Sequence, residues 1–149
     1  MPKALVTLAI RHEQDVVIAR QRAREIARLV GFDAQDQTRI ATAVSEIVRN
    51  AFRYAKGGKV EFAVEGSSTP QLLLIRVRDQ GPGIPDKLLE NVFLPYYRVE
   101  KSRNRSTGGV GLGLTVALAI VHGHGGEIML RNSPEGGLEA RVTLPPRNV

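Results

Sequence analysis

Glu46, Asn50 and Arg53 lie in the segment SEIVRNAFRYA, residues 45–55, at spacings of four and three positions. Residues at these spacings share one face of an α-helix. An Asn carbonyl oxygen can coordinate Mg²⁺, an Arg guanidinium can neutralise phosphate, and a Glu carboxylate can orient or deprotonate a water or hydroxyl. The pattern therefore fits a metal–phosphate site, and it also fits an exposed helix face with one Glu–Asn–Arg ladder.

A second segment, DQGPGI at residues 79–84, follows an apolar stretch that is typical of a strand. We expect Asp79 at the strand end with its carboxylate pointing into a cleft, where it could accept a hydrogen bond from an exocyclic amine. Gly81 and Gly83 permit a tight turn and the close approach of a flat ligand. The alternative is a surface turn that begins with Asp, which is a common arrangement.

The third segment, GGVGLGL at residues 108–114, precedes an apolar helical pattern. Glycines allow backbone N–H groups to face an anion, and the helix N-terminus adds its dipole. The segment matches neither a P-loop nor a dinucleotide fingerprint. We expect a basic lid over a polyphosphate at about residues 86–110, and the alternative is a solvated loop that caps a buried helix. The basic residues of this stretch include Arg98, Lys101, Arg103 and Arg105.

The elements that must carry these segments are predicted from apolar periodicity in the order β-α-α-β-β-α-β-β. Gly31 is expected to end the first helix and Asp33 to cap the second. This order predicts an α/β (α+β) two-layer sandwich, in which about three helices cover one face of a mixed, mostly antiparallel sheet of about five strands. Strands are predicted at 4–10, 59–66 and 71–79 and in GEIMLRNS and LEARVTLP, and helices at 13–30, 33–57 and 112–122.

The composition suits one domain that spans residues 1–149, because the chain is 42% hydrophobic and 24% charged. No apolar run approaches the ~18 residues of a membrane span, so we expect no membrane insertion. The absence of cysteine excludes disulfides and thiolate metal sites and agrees with a cytoplasmic location. The net charge of +6 is compatible with nucleic-acid binding, but no aromatic residues are interleaved to stack bases, which disfavours a nucleic-acid partner.

In their order and spacing, the three segments resemble the motifs of the GHKL ATPase superfamily, whose members share the Bergerat fold and include gyrase-type, chaperone, histidine-kinase and mismatch-repair ATPases. The resemblance covers nearly the whole chain and implies that it binds ATP and Mg²⁺. It implies that Asn50 chelates the Mg²⁺ bound to the triphosphate. Glu46 would be the catalytic base-like or water-orienting residue, and Asp79 would bind the adenine amine.

The same resemblance assigns the remaining site residues. Gly81 and Gly83 would shape the adenine pocket, and Ile84 would form one of its walls. Many members of the superfamily place a Thr after a glycine near the last strand, whereas Leu138 follows Gly137 here, so a water-mediated contact to adenine is not carried over. Gly109, Gly111 and Gly113, with Leu112 and Leu114, would cradle the phosphates, and Arg53, Tyr97 and Arg98 would contact phosphate or ribose.

The two halves of the chain resemble different branches of the superfamily. Residues 1–86 resemble the small bacterial serine kinases of stress and sporulation switches, and residues 91–149 resemble sensor histidine kinases. Such a combination of two branches would be found in a natural sequence, an ancestral sequence or an engineered chimaera. We therefore expect a protein kinase that transfers the γ-phosphoryl group of Mg-ATP to Ser or Thr of a STAS-type antagonist or sigma-factor regulator. The alternatives are the catalytic domain of a histidine kinase, whose acceptor lies on a separate phosphoacceptor domain, and a nucleotide-dependent binding module with little turnover.

Overall fold

The computed structural model describes residues 3–55, 57–66, 72–94 and 113–146. The helices are α1 (Gln14–Val30), α2 (Ala34–Ala55) and α3 (Gly113–Gly123), with 3₁₀ turns at Asp86–Leu88 and Asn91–Phe93. The strands are β1 (Lys3–Ile10), β2 (Gly58–Glu65), β3 (Leu72–Asp79), β4 (Glu127–Asn132) and β5 (Leu138–Leu144). The predicted order of elements is confirmed, whereas most of the expected lid lies outside the described residues.

The five strands form one sheet in the order β1-β2-β3-β5-β4. All four strand pairs are antiparallel, so the described sheet contains no parallel pair and the two predicted hairpins, β2–β3 and β4–β5, are both present. The last strand, β5, lies between β3 and β4. The turn of the β4–β5 hairpin therefore lies beside the end of β3, where the sequence places Asp79.

The boundaries of α1 and α2 follow from two local signals. Gly31 adopts φ 110° at the end of α1, and its N–H donates to the carbonyls of Ala27 and Arg28. This left-handed conformation is one that glycine adopts without strain. Asp33 caps α2, because its Oδ1 accepts a hydrogen bond from the N–H of Asp36 at 2.8 Å. No helix among the described residues has both the length and the apolar content that crossing a membrane would require.

The core lies between the helices and one face of the sheet. The apolar stripe of α2 includes Val44 and Val48, which are 1% and 0% exposed, and it packs with Phe62 and Ile75 of the sheet. Val121 of α3 belongs to the same cluster. Because burial of this stripe fixes the rotation of α2, the polar side chains of Glu46, Asn50 and Arg53 are held along the flank of the helix.

A buried polar contact joins the N-terminal end of α2 to the turn after α3. His124 Nε2 lies 3.1 Å from Asp36 Oδ1, at ion-pair distance but without the alignment of a hydrogen bond. The other ring nitrogen, Nδ1, lies 2.9 Å from the carbonyl oxygen of Ile120 and donates to it. Both side chains are almost fully buried. His124 therefore serves the packing of the helices, at the end of α2 opposite to Asn50 and Arg53.

Candidate functional site

The first and third predicted segments meet where α2 passes the start of α3. A Cβ added to Gly113, the first residue of α3, would lie 2.6 Å from Glu46 Oε2. Glycine therefore allows the N-terminus of α3 to approach the Glu46 carboxylate closely. The structure thus brings together two predicted site residues that are far apart in the sequence.

The two oxygens of Glu46 have different neighbours. Oε1 accepts a hydrogen bond from Arg49 Nη1 at 2.9 Å, while Oε2 faces Gly113. The side chain is 26% exposed, so the carboxylate remains accessible to a ligand. Sequence reasoning gave Arg49 no role, although its i,i+3 spacing from Glu46 indicates this pair. The pairing orients the carboxylate so that Oε2 is directed toward the start of α3.

Asn50 and Arg53 continue the polar face of α2 toward its C-terminal end, where Asn50 is half-buried and Arg53 is exposed. The carbonyl oxygen of Asn50 is a hard donor of the kind that Mg²⁺ prefers, and Mg²⁺ commonly takes one or two protein ligands beside phosphate and water. The described residues contain no group of three His, Cys, Asp or Glu side chains that could enclose a metal ion. The residues present therefore fit a Mg²⁺ shared with a polyphosphate and not a metal held by protein alone.

Asp79 ends β3, as predicted, and its carboxylate is oriented by two backbone groups. Oδ1 accepts hydrogen bonds from the N–H of Gly81 at 3.0 Å and from the N–H of Leu138 at 2.9 Å. Because both of these bonds go to Oδ1, Oδ2 is the oxygen that can accept from a ligand amine. Asp79 also lines an open cleft of about 850 Å³ along the strand ends, together with Ala55.

Gly81 brings the loop after β3 against the end of α2. A Cβ at this position would lie 2.8 Å from the Cβ of Ala55. The second predicted segment therefore packs on the first, which already contacts the third through Glu46. The second and third segments thus both pack against α2, at Ala55 and at Glu46 respectively.

Leu138 contacts Asp79 through its backbone N–H and not through its side chain. The Leu138 side chain offers no hydroxyl, but its N–H binds the Asp79 carboxylate directly. Gly137 makes this approach possible, because it adopts φ 85° and an added Cβ would lie 2.0 Å from the carbonyl oxygen of Asp79. The adjacent glycines of PEGG were the available sequence signal for this contact.

Gly83 and Ile84 are held by a residue that sequence reasoning missed. Asn132, the last residue of β4, accepts a hydrogen bond from the N–H of Ile84 at 2.9 Å and donates from Nδ2 to the Ile84 carbonyl. The same Nδ2 donates to Asp86 Oδ1 at 2.7 Å. Gly83 adopts φ 76°, and an added Cβ would lie 2.4 Å from Asn132 Oδ1.

Behind Asp79, on the face of the sheet that carries no helices, a buried carboxylate joins three strands. Glu139 is 2% exposed, and its oxygens lie 3.5 Å from Arg76 Nε, 3.3 Å from Arg78 Nε and 3.1 Å from Arg131 Nη2. Arg78 and Glu139 are partners in the register of β3 and β5. These cross-strand pairs support the strand ends that carry Asp79 and Leu138.

A carboxylate with a lowered pKa lies outside the site, near the N-terminus. Hydrogen bonds from the N–H groups of Arg11 and His12 hold the pKa of Asp15 below its ordinary value. This carboxylate joins the end of β1 to the first turn of α1. It therefore belongs to the start of the fold and not to the candidate site.

Some predicted site residues can be only partly located. Leu114 is half-buried in α3 and packs against the core. The adjacent Thr115 donates from Oγ1 to the carbonyl of Phe93 at 2.7 Å, so the chain enters α3 next to the second 3₁₀ turn. The contacts predicted for Tyr97, Arg98, Gly109, Gly111 and Leu112 stay predictions, because these positions lie outside the described residues.

Comparison with known proteins identifies related sequences and folds. Residues 35–148 match the family model described as histidine kinase-, DNA gyrase B-, and HSP90-like ATPase. The sensor histidine kinase WalK of Bacillus subtilis (strain 168) is 41% identical over 111 residues, which are 74% of this chain and 18% of that protein. A sensor protein kinase WalK of Staphylococcus epidermidis is 38% identical over 124 residues, 82% of this chain and 20% of that protein. The chain therefore spans about a fifth of the length of these curated relatives.

Solved structures show the same fold at lower sequence identity. The mycobacterial sensor histidine kinase MprB aligns with a TM-score of 0.63 and 22% identity, covering 97% of this chain and 100% of that chain. The catalytic domain of histidine kinase ThkA aligns with a TM-score of 0.60 and 23% identity, covering 95% of this chain and 96% of that chain. The antiparallel sheet covered by helices on one face is thus an architecture already known from other proteins.

Proposed function

Because the chain belongs to the family of histidine kinase-, DNA gyrase B- and HSP90-like ATPases, we propose that it is the Mg-ATP-binding catalytic domain of a histidine kinase. The proposed reaction transfers the γ-phosphoryl group of ATP to a histidine on a separate phosphoacceptor domain. The observation that supports this proposal is that the second and third motifs both pack against α2, which carries the first: Gly113 lies beside Glu46, and Gly81 lies beside Ala55.

The acceptor class is inferred from the relatives. Both WalK proteins are sensor kinases. The match to the Staphylococcus epidermidis protein covers 124 residues, which is more than the stretch from residue 87 to the C-terminus contains, so it must include residues before position 87. The likeness to sensor kinases therefore extends into the half of the chain whose sequence resembles serine kinases. This supports the alternative acceptor, histidine, over the Ser or Thr expected first, and it gives no support to a STAS-type or sigma-factor partner.

Recognition of the base would depend on Asp79. Its Oδ2 would accept a hydrogen bond from the exocyclic amine of adenine, while the two N–H groups on Oδ1 keep the carboxylate in place. Gly81, which packs closely on Ala55 at the end of α2, would hold the loop after β3 in place and so shape the adenine pocket. A base that carries an oxygen in place of this amine would face the carboxylate with an acceptor and bind weakly.

Phosphoryl transfer demands positioning and charge neutralisation more than covalent participation of the protein. Asn50 would hold Mg²⁺, which when bound supplies positive charge beside the β- and γ-phosphates. Glu46 Oε2, facing the start of α3, would accept a hydrogen bond or a proton from the attacking imidazole. The bond between the γ-phosphorus and its bridging oxygen breaks, a nitrogen–phosphorus bond forms, and ADP leaves.

Nucleotide binding is tested by replacing Asp79. We expect wild-type protein to bind Mg-ADP in calorimetry and Asp79→Asn to weaken binding by at least about 100-fold, because the amide presents a donor to the adenine amine and leaves it unpaired. Asp15→Asn is the matched control, since Asp15 also accepts two backbone N–H bonds but lies outside the site. Absence of wild-type binding at millimolar ADP would refute the proposed function, whereas unchanged affinity in Asp79→Asn would refute only the role of Asp79.

The acceptor class is tested by the chemistry of the phosphorylated product. Wild-type protein with radiolabelled ATP is expected to label a histidine-bearing helical phosphoacceptor domain, and this label should be lost in acid and retained in base. A phosphoserine would show the opposite stability. Incubation with a serine-bearing STAS protein serves as the comparison. Acid-stable label on that protein, with none on the helical domain, would restore the serine kinase interpretation.

A further inference from the structure

We propose that Asn132 is a positioning residue of the adenine subsite and determines how strictly the site selects its base. This inference rests on the proposed nucleotide-binding function. Asn132 would act through the loop at residues 83–86, which it fastens to the end of the β4–β5 hairpin. It would not itself touch the nucleotide.

The amide of Asn132 binds this loop as a neighbouring strand would. Its Oδ1 accepts from the N–H of Ile84, and its Nδ2 donates to the carbonyl of the same residue. An amide is the smallest side-chain group that can donate and accept in one plane. Serine is too short to span both groups, and an ionised aspartate has no donor. The residue type therefore matters at this position, and not merely its polarity.

Asn132 also contacts the 3₁₀ turn that follows this loop, where the expected lid begins. Nδ2 of Asn132 also donates to Asp86 Oδ1 at 2.7 Å, and Asp86 is the first residue of the 3₁₀ turn Asp86–Leu88. On the other side, Gly83 leaves no room for a Cβ, which would lie 2.4 Å from Asn132 Oδ1. One side chain therefore binds the loop at Ile84 and Asp86 and packs closely on Gly83.

The hairpin that carries Asn132 also holds the residue that would recognise the base. Asn132 pairs with Leu138 in the register of β4 and β5, and the N–H of Leu138 binds Asp79 Oδ1. Asp79 and the loop that contains Ile84 are thus positioned by Leu138 and Asn132, which lie opposite each other in the β4–β5 hairpin. Loosening the Asn132 contact would free the loop relative to Asp79 and widen the pocket between them.

The test compares binding of Mg-ADP with binding of Mg-IDP, whose base has an oxygen where adenine has the amine. In Asn132→Asp, the new carboxylate faces the Ile84 carbonyl and the Asp86 carboxylate with no donor. We expect its affinity for Mg-ADP to fall about tenfold and its preference for ADP over IDP to shrink by a similar factor. The double variant Asn132→Asp with Asp86→Asn supplies an amide donor at position 86. It should restore at least half of the lost preference for ADP over IDP, measured as the logarithm of the ratio of the two affinities.

Two further variants keep the result interpretable. Gln37→Glu makes the same change of amide to carboxylate at the N-terminal end of α2, where the Gln37 amide donates to the carbonyl of Phe32, and should leave the base preference unaltered. Asn132→Ser, which carries no charge, should show the same direction of effect and replaces Asn132→Asp if that variant fails to fold. A purely structural role would lower the fraction of active protein without changing the ratio of the two affinities.

The possible outcomes separate the two proposals. If wild-type protein binds Mg-ADP and the Asn132 variants keep its affinity and base preference, the role of Asn132 is wrong and the proposed function stands. The role is equally wrong if the variant carrying both Asn132→Asp and Asp86→Asn is no better than Asn132→Asp alone. If wild-type protein does not bind Mg-ADP, both proposals fail.

Discussion

Glu46→Gln is expected to slow phosphoryl transfer by about 10²–10⁴-fold while leaving the affinity for Mg-ADP within about threefold. The glutamine has the size of glutamate and keeps an oxygen for the hydrogen bond from Arg49. It loses the charge and the proton affinity of Oε2, the oxygen that faces Gly113. The loss should therefore fall on the rate of transfer and not on the binding of the nucleotide.

The control for Glu46→Gln is Glu25→Gln on α1. Glu25 forms an i,i+3 ion pair with Arg22 at 3.2 Å, so this variant removes the same charge from a similar helical pair away from the site. Single-turnover transfer and calorimetry should be measured on both variants. Transfer at the wild-type rate in Glu46→Gln would remove this residue from the mechanism. A parallel loss of ADP binding would instead assign it to ground-state binding.

Gly137→Ala is expected to lower the free energy of unfolding by about 3 kcal/mol and to weaken ADP binding. An L-residue at φ 85° is strained, and the new Cβ would lie 2.0 Å from the backbone oxygen of Asp79. Relief of this clash must move the end of β3 or the hairpin. Either movement breaks the hydrogen bond from Leu138 that orients the Asp79 carboxylate.

Gly136→Ala is the control that distinguishes the effect of backbone strain from the effect of a steric clash. Gly136 adopts φ 99°, but an added Cβ would meet no atom within 4 Å. We expect only the conformational cost of about 1–2 kcal/mol at this position, with ADP affinity preserved. Urea denaturation and calorimetry check both variants. Equal losses of stability and affinity in the two would contradict the contact between Gly137 and Asp79.

The fold was predictable because its determinants are local. The buried stripe of α2 recurs with the helical period, and Gly31 and Asp33 mark the end of one helix and the start of the next within a few residues. Alternation in β2 and the paired glycines before β5 indicate hairpins in the same way. Local signals are weak in the polar stretch after β3, where the structure has two short 3₁₀ turns, Asp86–Leu88 and Asn91–Phe93, that the sequence pattern does not delimit.

The candidate site was predictable only where each motif carries its own chemistry. Glu46, Asp79 and Gly113 could be selected from their segments, and the structure brings Glu46 and Gly113 together. The residues that orient them could not be found this way, because their partners are distant in the chain. Asn132 binds Ile84 across 48 positions, and Leu138 binds Asp79 across 59. The periodicity of apolar residues does not reveal such a pairing, because it depends on β5 lying beside β3.

The hydrogen bond between Thr115 and Phe93 has a consequence for how related sequences can diverge. Phe93 and Thr115 are held in contact although 22 positions separate them in the sequence. The entropic cost of joining two points of a chain that are held in contact grows slowly with the number of residues between them, by about 0.6 kcal/mol for each doubling. Insertions and deletions between these two residues are therefore expected to leave the sheet and the helices intact. Related sequences with long and short versions of this stretch can share one scaffold.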